Sequence, residues 1–151
     1  MDLSDFLPND LKKDFASRNL EIGTVLRLAV KDTNPPKIKR FIVVGKTIDG
    51  LSLASVYINS NINPKVNWNF ELQKLNVPLK SIGNDFLDKN SFVDCSKLVI
   101  RNSDEISEII KNNPKAVKGE LKENDLQLIL ETLRNSETIK GKHKKKFGLL
   151  F

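Results

Sequence analysis

The side chains able to do chemistry in this 151-residue chain are mainly cations, hydroxyls and amides. Arg40 stands where an apolar strand leaves the Asn34-Pro35-Pro36 loop, and Asn59-Ser60 stand where the next strand ends. A permanently charged guanidinium beside small polar groups suits phosphate handling, because its planar fork matches an oxyanion with two donors. Arg101 stands beside another strand end. For both arginines a solvated surface cation is the plain alternative. The exclusions are equally informative. His143, the only histidine, lies in a lysine run, so one chain can build neither a paired-imidazole acid–base site nor a histidine-rich metal site. Cys95 is the only cysteine, which excludes an intramolecular disulfide and a cysteine-ligated zinc. With its apolar flanks it reads as a small buried residue. No phosphate-binding P-loop or dinucleotide-binding glycine motif is present. Asp94, inside an apolar run, is a bulge or turn residue or a hydrogen-bonded anchor. The cost of burying an unpaired carboxylate favours the anchor.

The elements that must position these residues are mostly strands. Lys37–Ser60 reads as a hairpin: Ile38, Phe41, Val43 and Val44 lead to Gly45, Asp49-Gly50 turns the chain, and Leu51, Leu53, Val56 and Ile58 return it. Asp-Gly between β-branched runs is a strong hairpin signal, since glycine supplies positive φ without steric cost. Gly23–Val30 alternates as a strand, and Phe70–Leu75 and Ser91–Ile100 fit two more, the latter bent near Asp94–Ser96. Lys115–Leu121 fits a short last strand. Helices are expected over Asn9–Arg18, over SDEISEIIKN from Ser103, and over Lys122–Asn135. In the last, Leu126, Ile129, Leu130 and Leu133 recur at helical spacing, with acids at the start and Arg134 at the end. The sum is mainly β with helices (α+β), a small, partly closed barrel carrying a C-terminal helix and an added N-terminal helix.

Hydrophobic residues make up 39% and charged residues 29% of the chain, as in soluble globular proteins, and the length suits one domain. The expected parts are an N-terminal helical extension over 1–20, a barrel over 21–135 and a basic tail over 136–151. No apolar run approaches the ~20 residues that span a bilayer. The acidic, mixed N-terminus lacks a secretory pattern. A cytoplasmic protein without membrane contact is therefore expected. The formal charge is +6, and the stretch KGKHKKK, Lys140–Lys146, carries five lysines without an acid. Such a run is expected to be mobile, the alternative being that the apolar Phe147, Leu149, Leu150 and Phe151 after it dock on the body.

Four segments together resemble the PemK/MazF family of toxin-like endoribonucleases: Gly23-Thr24-Val25; Lys37-Ile38-Lys39-Arg40-Phe41-Ile42-Val43-Val44; Ser91–Leu98, SFVDCSKL; and Gly119-Glu120-Leu121 before the acidic-start helix. SFVDCSKL is the most specific. The resemblance covers about Glu21 to about Arg134. Phe41 stands where the family has proline, Thr24 where it usually has an acid, and its hydroxyl position falls near Asn59 or Ser60.

The resemblance implies an SH3-like barrel of the PemK/MazF type, a homodimer, an antitoxin protein partner, and metal-independent cutting of single-stranded RNA with no cofactor. It places Arg40 as the stabiliser of charge on the phosphorane and Ser60 as the assisting hydroxyl. Lys37, Lys39, Tyr57, Asn59, Trp68 and Arg101 become RNA-binding candidates, with Tyr57, Trp68 and Phe70 as stacking surfaces. The competing expectation is a catalytically inactive barrel of this type that binds RNA or protein.

Overall fold

Three consecutive runs of alternating, β-branched residues form an antiparallel meander: β1 (Thr24–Val30), β2 (Lys37–Lys46) and β3 (Ser52–Asn59). The computed structural model describes residues 20–30, 37–62 and 69–150. The β2–β3 turn follows the Asp-Gly reading, with Gly50 at φ 73°. Asp49 Oδ1 accepts from the Thr47 hydroxyl at 2.6 Å and from Leu51 N at 3.0 Å. Those bonds, the Thr47 one foremost, hold its carboxyl below the ordinary range.

The later strands are short: β4 (Asn76–Leu79), β5 (Ser91–Asp94), β6 (Val99–Asn102) and β7 (Val117–Glu120). The described strands make one sheet in the order β4-β5-β3-β2-β1-β7, with β6 also pairing β3. The four described α-helices are α1 (Phe70–Gln73), α2 (Ser103–Asn112), α3 (Glu123–Asn135) and α4 (Gly141–Lys146). The architecture is α+β, a curled antiparallel sheet closing part of a barrel.

Side-chain alternation splits the core in two. On one face Val25, Ile42, Val44, Val56 and Ile58 pack with Ile129 and Leu133 of α3. Leu126 and Leu130 lie half-buried against the same cluster, as their spacing predicts. On the other face Leu26, Leu28, Phe41, Val43 and Tyr57 pack with Ile106 and Ile110 of α2. Asn102 starts α2 by accepting from Glu105 N at 3.0 Å, a side-chain cap just before the helix expected from Ser103.

Three expectations are corrected. The strand expected over Phe70–Leu75 is a helical turn followed by a strand that starts only at Asn76. Asn69 decides this, because its side chain accepts from Leu72 N at 2.8 Å and caps the turn. The single strand expected over Ser91–Ile100 is two, β5 against Ile58-Asn59 and β6 against Ser52–Ser55. Asp94 separates them. Its carboxylate accepts from Ser96 N at 2.9 Å and from the Ser96 hydroxyl, an Asx turn that breaks the ladder. Cys95 then turns inward, and its burial, with Asp94 adding to the effect, pushes the thiol up to about 12.

The third correction is the tail, which is folded and docked. Ile139, Phe147 and Leu149 belong to the α3-side core, and Phe147 is 1% exposed. Helix α4 ends on Gly148 at φ 73°, with Leu149 N bonded to Lys144 O and Gly148 N to Lys145 O. Those paired bonds satisfy its last carbonyls. Lys144 Nζ donates to the final-turn carbonyl of Arg134 in α3 at 2.8 Å. Gly45 makes the docking possible: a Cβ there would lie 2.5 Å from the Phe147 carbonyl oxygen. The β2–β3 register shifts at the same point, between Val43 and Gly45. Apolar residues after the lysine run thus outweigh the repulsion within it.

The helix expected over Asn9–Arg18 and the candidate Trp68 lie outside the described residues. Among the described residues no helix is long and apolar enough to cross a membrane.

Candidate nucleic-acid groove

Away from the Asp-Gly turn, β2 and β3 end in polar residues. Lys39-Arg40 on one strand face Ile58-Asn59 on the other, and Ser60 and Asn61 continue the second. These ends and the β5 segment line an open cavity of about 560 Å³, to which the loop before β5 adds Asp88 and Lys89. Neighbouring residues of a strand point to opposite faces. Arg40 therefore belongs with Ile42 on the α3 side and Lys39 with Phe41 on the α2 side, and the groove wraps the end of the sheet.

Arg40 is held from two directions. Its Nε donates to the Phe86 carbonyl at 3.0 Å, and its Nη2 donates to Asp88 Oδ2 at 2.9 Å. Its side chain is 26% exposed and that of Asp88 87%, so the pair lies at the solvent rim. Lys39 Nζ donates to Asn59 Oδ1, its cross-strand neighbour. Tyr57 sits beneath these groups. Lys39 Nζ is 5.2 Å and Lys97 Nζ 5.8 Å from its ring centroid, while its hydroxyl accepts from Arg101 at 2.9 Å. Ring faces attract cations in this way.

The groove brings together most of the candidate residues: Lys39, Arg40, Tyr57, Asn59 and Ser60 all line it. Tyr57 does so at 5% exposure, so it gathers cations and offers no open ring face to a base. Arg101 does not line the groove. It lies 4.5 Å over the Phe41 ring and donates to Ser55 Oγ at 3.2 Å, which makes it a clamp on the α2-side core and a wall of a second cavity. Lys37 is exposed at the start of β2 and lies outside the groove lining. Phe70 is exposed on α1, with Lys74 Nζ 4.5 Å from its ring, and is likewise no part of the groove.

Sequence reasoning missed Lys89, Lys97, Asp88, Ser91 and Ser96 as groove residues. The signal was in SFVDCSKL, since Ser91, Asp94, Ser96 and Lys97 of that segment all reach the cavity. The hydroxyls of Ser91 and Ser96 and the cation of Lys97 are of the types already chosen at Ser60 and Arg40.

The lining carries four cations, Lys39, Arg40, Lys89 and Lys97, against two carboxylates, Asp88 and Asp94. An excess of positive charge among hydroxyls and amides can bind phosphates, with the amides reading base edges. Among the described residues no cluster of three histidine, cysteine or acidic side chains gathers to hold a metal ion. No protein-family model matches the sequence, and no curated protein matches it. The function therefore rests on the groove.

Proposed function

We propose that the groove binds single-stranded RNA and that the protein is a toxin-like, metal-independent endoribonuclease on a PemK/MazF-type, SH3-like barrel. The observation that carries this reading is the gathering of Arg40, Ser60, Lys39 and Asn59, with charged and hydroxyl-bearing residues of the β5 segment and of the loop before it, around one open cavity. The partners in this reading are single-stranded RNA, an antitoxin protein and a second copy of the chain, all in the cytoplasm.

The reaction is attack by a ribose 2′-oxygen on its neighbouring phosphorus. The new P–O2′ bond forms as the P–O5′ bond breaks, one proton leaves the 2′-hydroxyl and one reaches the departing 5′-oxygen. The products are a 2′,3′-cyclic phosphate and a free 5′-hydroxyl. Negative charge collects on the phosphoryl oxygens, and Arg40 supplies donors where that charge develops. Its bond to the Phe86 carbonyl fixes the guanidinium plane, and the exposed Asp88 carboxylate is the group a phosphate displaces. Ser60, two residues beyond the partner of Arg40 on β3, is the hydroxyl assigned to the same phosphate.

The same Arg40–Asp88 pair favours one second reading, an RNA-binding barrel without cleavage, because it leaves the guanidinium neutralised unless a ligand competes. Arg40→Ala separates the two. Losing one donor to the transition state lowers the cleavage rate by ~10²–10³, with RNA binding still measurable. Arg40→Lys recovers little, since a point charge lacks the planar fork. EDTA leaves wild-type cleavage unchanged. Wild-type protein that leaves a broad panel of single-stranded RNAs intact, yet binds them through Arg40, would establish the binding module instead.

A further inference from the structure

The chain leading into the lysine run touches the groove's rim at a defined point. Thr138, two residues before Lys140, donates its hydroxyl to the carbonyl oxygen of Ser96, and Ser96 and Lys97 line the groove. Ser136, fully buried, bonds Thr138 Oγ1 at 3.0 Å and holds that contact from behind. From this rim the chain enters α4 and runs to Gly45, near the opposite end of β2. Lys142, Lys145 and Lys146 are all exposed, while His143 and Lys144 are half-buried toward the body. Positions i, i+3 and i+4 share one face of a helix, so the three exposed lysines form an outward stripe.

That stripe costs stability, because like charges four residues apart repel and the run contains no acid. Phe147, Leu149 and the Lys144 bond to α3 hold it in place regardless. Lysine heads on a fixed helix act as point charges that take phosphates of any sequence. The continuity of the stripe with the groove, through Thr138 and Ser96, selects a ligand already lying in the groove.

We propose that α4 is a second, structured binding site for the phosphate backbone of the same single-stranded RNA, extending the groove beyond Lys97 along Lys140, Lys142, Lys145 and Lys146. This rests on the assignment of the groove to RNA. The groove holds the nucleotides around the reacting phosphate, and α4 holds the flanking strand without reading its bases. Affinity therefore depends on length: a short oligonucleotide fills the groove alone, and a longer one engages α4 as well.

The test compares wild type with the triple variant Lys142→Gln, Lys145→Gln, Lys146→Gln, using RNAs of about four and about twelve nucleotides, the scale of single-strand sites. Fluorescence anisotropy is measured across a salt series. For the longer RNA, the slope of log affinity against log salt should fall by about 2, at roughly 0.7 for each phosphate no longer neutralised. For the shorter RNA, affinity should stay within twofold. The melting temperature should hold or rise, as repulsion within α4 is relieved. Equal losses on both RNAs, or none on the longer one, would overturn the proposal. Arg40→Ala keeps its failure distinct from that of the groove. If the groove is not an RNA site, short-RNA binding will not respond to Arg40→Ala, whatever the lysine variant does to the longer RNA.

Discussion

The two ends of the β2–β3 hairpin belong to one antiparallel pair whose register shifts between Val43 and Gly45, yet one end is open and the other is sealed. At the open end the facing side chains are Lys39, Arg40, Asn59 and Ser60, and the cavity lies over them. At the sealed end Val44, Gly45 and Ala54 face the docked C-terminal segment, with Phe147 and Leu149 buried against the sheet. The register shift marks the sealed end but does not by itself decide which end is covered. Side-chain polarity does, because apolar surface is stabilised by a cover and charged groups lose hydration under one. The sealed end supplies stability, and the open end keeps its cations available to a ligand.

Substitutions at the sealed end should break this contrast most strongly. Phe147→Ala removes a fully buried ring and should cost about 3–5 kcal/mol in chemical denaturation. A loss near zero would mean that the C-terminal segment does not seal that end. Gly45→Ala should cost about 1–3 kcal/mol, because the new methyl meets the Phe147 carbonyl and the segment must shift. Removing residues 140–151 as well should make the Gly45→Ala penalty largely disappear, since the colliding group is gone.

Cys95 sharpens the comparison from the wall between the two ends. Its thiol is neutral when folded up to about 12, whereas an unfolded thiol ionises near its ordinary value of 9.0. Between those values the unfolded chain binds fewer protons, so this thiol's contribution is complete below about 9 and declines as pH rises through the window. The unfolding free energy of Cys95→Ala should fall less steeply from pH 9 upward than that of wild type. Parallel slopes would place the thiol in contact with water. The smallest effect belongs to the open end. Ser60→Ala should change stability by no more than about 0.5 kcal/mol, as for a solvated polar position, while lowering RNA cleavage. A marked loss of stability would make Ser60 a structural residue.

Much of this was readable from residue order because the governing interactions are local. The Asp-Gly turn, the alternation in β1–β3, the helix α2 from Ser103 and the apolar stripe of α3 each depend on residues within a few positions of one another. The groove residues on β2 and β3 were legible because the Asp-Gly turn sets the antiparallel pairing that brings the far ends of the two strands together. Phe70–Leu75 failed because six alternating residues also fit one helical turn, and a single side-chain bond from Asn69 chose between them. Arg101's place outside the groove was not legible, because its type suits a phosphate contact while Phe41, Ser55 and Tyr57 from two other strands engage its guanidinium.

By itself, then, the sequence determined β1–β3, the two helices α2 and α3 and the polar character of one hairpin end, since period, turn chemistry and side-chain charge are properties of short stretches. Only the tertiary structure decided that the lysine run is held rather than loose. The repulsion among its charges is visible in the run itself. The forces that overcome it come from Phe147 and Leu149 just after the run only once Gly45, Arg134 and the α3-side core are folded to receive them.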